Sequence, residues 1–290
     1  MALFSQLRVH RGGYKLISIK QKVEEVISIC KNKFQFYKPY TSPHFLFFIM
    51  KCLIIAAGKG SRLQSIADLK PLIPLKNIPL IERVVDSAME AGADDFYVVV
   101  GYKGTDVRAY LEKVGRSKSI SITVIENKDW ERANGISVLK AQPYLNEPFL
   151  LMMADHIFDP EIARLLISQS ESNEGLLLAV DENLGNSFVD MDDVTRVLTQ
   201  DNRIKNIGKG IETYNCFDTG IFLCDPVLFA AINDSSKKGD ESLSGGVRNL
   251  ARQGKAKTVP INGSFWCDID DPTNFKQAEE YLTSSVKNCV

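Results

Sequence analysis

From Met50 onward the apolar and polar positions alternate between two periods. Apolar runs of strand length fall at 52–56, 96–101, 120–125, 149–153 and 175–180. Between them lies helical spacing: at 79–91, with Leu80, Ile81, Val84, Val85 and Ala88 on one face, and at 104–114, 135–142 and 159–169. Strand and helix in this alternation predict βαβ units around a mostly parallel sheet, hence an α/β fold. Asp94-Asp95 and Gly101 punctuate the second run. Past about residue 185 the rhythm changes. Segments 193–199 and 203–208 flank Gln200-Asp201-Asn202-Arg203 and predict an antiparallel hairpin. A strand at Tyr214–Leu223, a helix from Pro226, another near 243–253, and strands at 256–261 and 265–269 follow. The closing helix starts at about Pro272, with proline at its first position, and runs to Lys287. This half is expected to extend the same sheet on the substrate side as a lid rather than to form a separate domain.

Residues 1–49 differ in character. They carry eight Lys/Arg against two Glu and are rich in aromatics, whereas 50–290 carries 27 basic against 34 acidic residues. A composition break of that size predicts a boundary, with an N-terminal extension over 1–49, a short helix around Gln21 to Lys31 within it, and a domain over 50–290. Lys51 interrupts the apolar run at 45–57, which is too short to span a bilayer, so neither a signal peptide nor an anchor is expected. A membrane-surface arm is the competing reading. The favoured one is a non-catalytic extension ahead of a domain that begins at Met50.

Composition narrows the chemistry. At 290 residues the chain can bury a large core, and a net charge of −1 gives no reason to expect a nucleic-acid partner. Cysteines at 30, 52, 216, 224, 267 and 289 form no C-x-x-C pair, which points to reduced thiols in a cytoplasmic protein.

The candidate chemistry centres on the first strand. Leu53-Ile54-Ile55 runs into Ala56-Ala57-Gly58-Lys59-Gly60-Ser61-Arg62-Leu63, followed by Lys70-Pro71-Leu72. Small residues and glycines leave backbone N–H groups open to an anion, and Lys59, Arg62 and Lys70 supply positive charge nearby. The spacing is not G-x-x-x-x-G-K-[ST], and Leu63 stands where a dinucleotide fingerprint needs its third glycine. Further on, a buried strand ends in Ala154-Asp155-His156, where open α/β sheets place ligands. Asp155 reads either as a cap or as a ligand for a hard cation such as Mg²⁺, which oxygen holds. Phe265-Trp266-Cys267-Asp268-Ile269-Asp270-Asp271 is the second carboxylate source. Alternation puts Asp268 and Asp270 on one side, where they repel unless compensated. Asp271 is expected to cap the last helix.

These motifs resemble the signature of nucleotidyltransferases that join a nucleoside triphosphate to a phosphorylated sugar, polyol or alcohol. Within that family the chain is similar to CTP:inositol-1-phosphate cytidylyltransferases, through Lys70-Pro71-Leu72, Asn134-Gly135-x-Ser137, Asp155-His156, Ile207-Gly208-Lys209, Cys216-Phe217-Asp218-Thr219-Gly220 and Trp266-x-Asp268-x-Asp270. Ala154 departs from the family's glycine before the aspartate. The resemblance implies a three-layer α/β/α fold of the nucleotide-diphospho-sugar transferase type, with Asp155 and Asp268 as ligands of Mg²⁺. It also implies transfer of CMP from CTP to inositol 1-phosphate or a related polyol phosphate. Characterised bifunctional relatives carry a membrane synthase domain, so a separate synthase is the expected downstream partner, with no integral span in this chain. A homodimer is left open.

In that chemistry a phosphomonoester oxygen attacks the α-phosphorus and expels pyrophosphate, so catalysis is positioning plus electrostatics. Ala56, Ala57, Gly58, Lys59, Gly60 and Ser61 are expected to cradle the triphosphate, Arg62 to hold its β/γ oxygens, and Lys70 to meet the transferring group. On this reading Lys70→Ala cripples turnover without destabilising the fold. Asn134, Gly135 and Ser137 are expected at the base or ribose, Asn134 reading equally as a helix N-cap. His156, Lys209, Asp218, Thr219 and Asp270 are expected at the acceptor, a backbone-bonded structural role competing for His156. Trp130 and Trp266 raise phosphocholine as an alternative acceptor, and a sugar 1-phosphate is another. A non-catalytic nucleotide-binding subunit is the reading from a different class.

Overall fold

The computed structural model describes residues 50–63, 68–170 and 174–287. The extension expected at 1–49, with its short helix, lies outside the described residues. Strand β1 (Met50–Ala56) leads through two short strands, β2 (Pro74–Leu75) and β3 (Ile78–Pro79), into α1 (Leu80–Ala91). Then come β4 (Ala93–Val100), α2 (Gly104–Lys118), β5 (Ser121–Glu126), α3 (Asn134–Lys140), β6 (Phe149–Met153), β7 (His156–Phe158) and α4 (Pro160–Ser168). The second half follows with β8 (Leu176–Asp181), β9 (Arg196–Gln200), β10 (Arg203–Gly208), β11 (Cys216–Cys224), α5 (Val227–Ser236), α6 (Leu243–Arg252), β12 (Ala256–Pro260), β13 (Trp266–Asp268) and α7 (Pro272–Lys287).

Nine strands form one sheet in the order β5-β4-β1-β6-β11-β8-β12-β10-β9, and β9 also pairs with β11. All of these except β10 and β11 run in one direction. The alternation along β1 shows why helices cover both faces. Cys52, Ile54 and Ala56 pack with the apolar stripes of α1, α2 and α4, whereas Leu53 and Ala57 pack with those of α3, α5 and α6. That is a three-layer sandwich, as the resemblance implies.

The predicted hairpin is β9–β10, turning at Asp201 and Asn202 with φ of 53° and 55°. Two successive left-handed residues form the tight turn that matches strand twist, and Asp and Asn tolerate that conformation best after glycine. A two-stranded ribbon, β7 with β13, stands off the main sheet and sets Asp268 opposite His156. Beneath it a third cluster packs Leu63, Ile73 and Leu75 against Ile157, Cys267 and Ile269. Each such side chain contributes about 1.5–3 kcal/mol on full burial, and together they join the glycine-rich turn to the C-terminal segment. Asp271 caps α7 as expected, its Oδ1 accepting from the backbone N–H of Thr273 at 2.6 Å and of Asn274 at 2.9 Å.

Candidate active site

Strands β1 and β6 pair in parallel from Lys51↔Phe149 to Ile55↔Met153, and the N–H of Ala154 donates to the carbonyl of Ile55. The two chains therefore leave the sheet side by side, bringing Ala57-Gly58 next to Ala154-Asp155. The turn is fixed from the other side by the N–H of Tyr102, which donates to the carbonyl of Ala57 at 3.0 Å. The two glycines of the turn do different things. At Gly58 an added Cβ would meet no atom within 4 Å, because the position faces the open cleft. Gly60 sits at φ +65°, and a Cβ there would lie 2.4 Å from Cβ of Lys70. Gly60 thus makes room for the lysine. The N–H of Leu63 closes the next turn onto the carbonyl of Gly60, and its side chain is buried, so neighbouring Arg62 is held at the rim.

Lys70 is the buried cation of the site, with its side chain only 7% exposed. Its Nζ lies 2.5 Å from Asp155 Oδ2, 2.5 Å from Asp270 Oδ1 and 4.0 Å from Asp268 Oδ1. Burial opposes its charge, but the carboxylates more than compensate and hold the ammonium above the ordinary lysine range. Burial likewise opposes the charge of Asp155, yet Lys70 and His156 hold its carboxyl far below the usual carboxylate range. His156 Nδ1 stands 2.8 Å from Asp155 Oδ1 and 3.8 Å from Asp268 Oδ1. Burial opposes its protonation, but these two aspartates push it up to about 9. Arg62 reaches Asp270 at 2.9 Å and Asp193 at 2.6 Å. Of the three cations near the turn, Arg62 and Lys70 thus converge on Asp270, while Lys59 lies over the Tyr102 ring at 5.6 Å.

The carboxylates offer two overlapping sets of cation ligands, Asp155–His156–Asp268 and Asp193–Asp268–Asp270, each with its ligating atoms within 4.8 Å of one another. Asp268 Oδ1 is buried, with no hydrogen-bond partner among the described residues. Burial, then the nearby charges of Asp155 and Asp270, push its carboxyl up to about 8. An oxygen-rich set with an orphaned carboxylate oxygen is what a hard divalent cation such as Mg²⁺ would satisfy, so the residues fit the group.

Two cavities open from this centre. One, of about 460 Å³, is lined by the turn, Arg62 and Lys70. The other, of about 310 Å³, is lined by His156, Asp218, Gly220 and Trp266. Asp155, Asp193, Lys209 and Asp270 border both.

Other predicted residues depart from expectation. The Thr219 hydroxyl is fully buried and donates to the carbonyl of Ala179 at 2.9 Å, because alternation along β11 turns it away from Asp218; it is a core residue and not an acceptor contact. Ser137 is buried and accepts from Asn127 Nδ2, and a Cβ on Gly135 would lie 2.3 Å from the carbonyl of Glu241. Ser137 ties α3 to the loop after β5, and Gly135 makes room for the segment that leads into α6; neither lines the two cavities. Asn134 borders both cavities but does not cap its helix. Its Oδ1 accepts instead from the N–H of Leu243 at 2.9 Å. The two tryptophans do not form a box. Trp266 donates to Asp181 at 2.9 Å, while Trp130 packs edge-on to Tyr102. Asp190 and Asp193 give no signal in the sequence, where Val189-Asp190-Met191-Asp192-Asp193 reads as a solvated loop, and Asp181 gives none at the end of its buried strand.

Comparisons with known proteins agree with this geometry. Residues 52–210 match the MobA-like NTP transferase domain. The solved inositol-1-phosphate CTP transferase from T. maritima superimposes with a TM-score of 0.72 at 28% identity, over 81% of this chain and 96% of that one. The bifunctional IPC transferase and DIPP synthase of Rubrobacter xylanophilus is 32% identical over 233 residues, 79% of this chain and 51% of that protein. Its namesake in Aquifex aeolicus is 28% identical, over 80% of this chain and 52% of its own length. The chain thus spans about half the length of these curated relatives. Among the described residues, no helix is long and apolar enough to cross a membrane. Because the domain match takes in more than half of the sequence and contains both the glycine-rich turn and Asp155, this chain belongs to the MobA-like NTP transferase family.

Proposed function

We propose that the chain transfers CMP from CTP to inositol 1-phosphate or a related polyol phosphate, releasing pyrophosphate. The observation that carries this is the meeting of two cavities at one cluster of charge: the glycine-rich turn with Arg62 and Lys70 on one side, and His156, Asp218 and Lys209 on the other. Polyanions need cations on both sides of the reacting centre, and a polyol needs a carboxylate and a donor beyond it.

In this reading the backbone N–H groups of Ala57 to Ser61 and the Arg62 guanidinium hold the triphosphate, and Lys70 is aimed at the α-phosphoryl group. A phosphate oxygen of the acceptor, steadied by Lys209, forms the new bond to the α-phosphorus. The bond from that phosphorus to its bridging oxygen breaks, and pyrophosphate leaves with the electron pair. Mg²⁺ held by Asp155 and Asp268 would supply Lewis-acid neutralisation of the phosphate charge. His156, tied through Nδ1 to Asp155, and Asp218 face the acceptor cavity as donor and acceptor for its hydroxyls. The names of the relatives from T. maritima and R. xylanophilus support CTP and inositol phosphate over a sugar phosphate. The product would then be an activated head group for phospholipid synthesis. The free, buried thiols of Cys52, Cys216, Cys224 and Cys267 suit a cytoplasmic setting.

A pyrophosphate-release assay with CTP, UTP, dTTP, ATP and GTP, each paired with inositol 1-phosphate, glucose 1-phosphate and phosphocholine, tests this. Release is expected with CTP and inositol 1-phosphate. Preference for a sugar phosphate or phosphocholine would replace the acceptor, and no release with any pair would leave a nucleotide-binding subunit.

A further inference from the structure

The segment joining β8 to β9, residues 182–195, is a strap that lines the cavity beside His156 through residues 188–190 and 193–195 and reaches the other cavity through Asp193. Its root is fastened: Asp181 accepts from the N–H of Asn183 at 2.9 Å, and from Asn186 Nδ2 at 2.8 Å and Trp266 Nε1 at 2.9 Å. Its middle is held where Phe188 packs edge-on to Phe265 at 5.2 Å. Its far part is a tight turn, in which the N–H of Val194 donates to the carbonyl of Asp190 at 2.9 Å.

That turn presents Asp193 to two cations from different elements. Oδ2 lies 2.6 Å from Arg62 Nη2, and Oδ1 is paired with Lys209 Nζ. Asp190 adds a second carboxylate 3.7 Å from Arg62 Nη1. A planar anion with one oxygen on each of two cations occupies the same electrostatic position as a phosphate group bridging them. Resting on the assignment above that Arg62 serves the nucleotide's phosphates and Lys209 the acceptor's, we propose that Asp193 is a built-in competitor for substrate phosphate. It bridges the two cations in the free protein and is displaced when phosphates arrive.

Three consequences follow for the reaction. The cations are kept paired and correctly spaced between turnovers, so they need not be gathered by the substrate. Ligands without phosphate cannot displace a carboxylate that is itself intramolecular, so the strap selects for phosphorylated partners at both cavities. Return of Asp193 to Arg62 also helps to release pyrophosphate.

The test is calorimetric binding of inorganic pyrophosphate in excess chelator, so that no cation bridges ligand and protein. Asp193→Asn should bind about tenfold more tightly than wild type, the ratio expected where a competitor leaves the site open in about a tenth of molecules. Asp192→Asn makes the same change in net charge on the same strap, at an exposed side chain, and should stay within about twofold, the ordinary reach of a surface charge. Asp193→Glu, which restores the anion, should return to wild-type affinity; if it binds as tightly as Asp193→Asn, the gain comes from a disturbed strap and the proposal fails. Unchanged or weaker binding by Asp193→Asn overturns it as well. Arg62→Ala separates the two assignments. Weaker pyrophosphate binding in that variant alone preserves the phosphate role of Arg62 while the competitor idea falls. Absence of binding in every variant would remove both.

Discussion

Replacement of Lys70 by alanine tests the central electrostatics. The resemblance on its own implies an effect on rate alone. Burial changes the expectation, because the ammonium is the shared counter-charge of Asp155 and Asp270, with Asp268 4.0 Å away. Removing one partner of a buried ion pair costs about 3–5 kcal/mol, since the other charge is left uncompensated. Asp155 and Asp270 keep 27% and 18% side-chain exposure, so partial solvation puts the expected loss at the lower end, about 3 kcal/mol. For a domain of this size that corresponds to a fall in Tm of about 6–12 °C. Thermal unfolding in chelator measures it. Millimolar Mg²⁺ should then restore part of the loss in Lys70→Ala, because a divalent cation takes over the neutralisation. Turnover, measured by pyrophosphate release, should drop about 10²–10³-fold whether or not stability is rescued. A variant that unfolds within about 2 °C of wild type in chelator would show that the carboxylates are compensated by something other than Lys70.

The two glycines of the turn should separate. Gly58→Ala should leave stability within about 0.5 kcal/mol of wild type but raise KM for the nucleotide, because its methyl group stands in the cleft. Gly60→Ala should lose about 1–2 kcal/mol from its left-handed backbone alone and more from the contact with Lys70, with kcat falling as Lys70 is pushed aside; unfolding and steady-state kinetics on the pair decide this. Thr219→Val should cost about 1 kcal/mol and leave acceptor KM unchanged, and a KM change would return the hydroxyl to the cleft. The pH dependence of metal-free stability has a definite sign. An acid whose folded pKa lies above its unfolded value binds more protons when folded, so stability present below about pH 4 is lost progressively as pH rises through about 8 for Asp268. His156, raised to about 9, adds a loss in the same direction above about pH 6.5. Unfolding in chelator from pH 5 to 9 should show this slope in wild type and a flatter one in Asp268→Asn, and saturating Mg²⁺ should reduce it in wild type.

The strands of the main sheet, the main helices and the β9–β10 turn are legible in the sequence because each is a local matter, whereas the short strands β2, β3 and β7 are not. Period and punctuation suffice for Leu80–Ala91 as a helix or Asp201-Asn202 as a turn. Asp155 and Asp268 are legible as candidates because a carboxylate at a strand end is chemically conspicuous. The misplaced residues fail for a different reason. Thr219 and Asp218 are neighbours in the sequence but face opposite ways, and the irregular register of β11 against β8 near them is invisible in composition. Gly135 looks like part of a nucleotide loop, but its small size serves the approach of α3 to Glu241. The burial of Lys70 could not be read either, since it depends on segments far along the chain closing over it.

Lys70 and Asp270 are 200 positions apart in the chain and 2.5 Å apart in space. During synthesis the glycine-rich turn after β1 therefore emerges long before the segment that packs against it, and the lysine is without one of its two nearest counter-charges until the β13 region docks. A chain cut just after β12 would keep all nine strands of the main sheet and the glycine-rich turn, yet lack Asp268 and Asp270. On the proposed function such a fragment would keep the triphosphate side of the cleft without the carboxylates that face Lys70, so catalytic competence waits for the β13 region to dock.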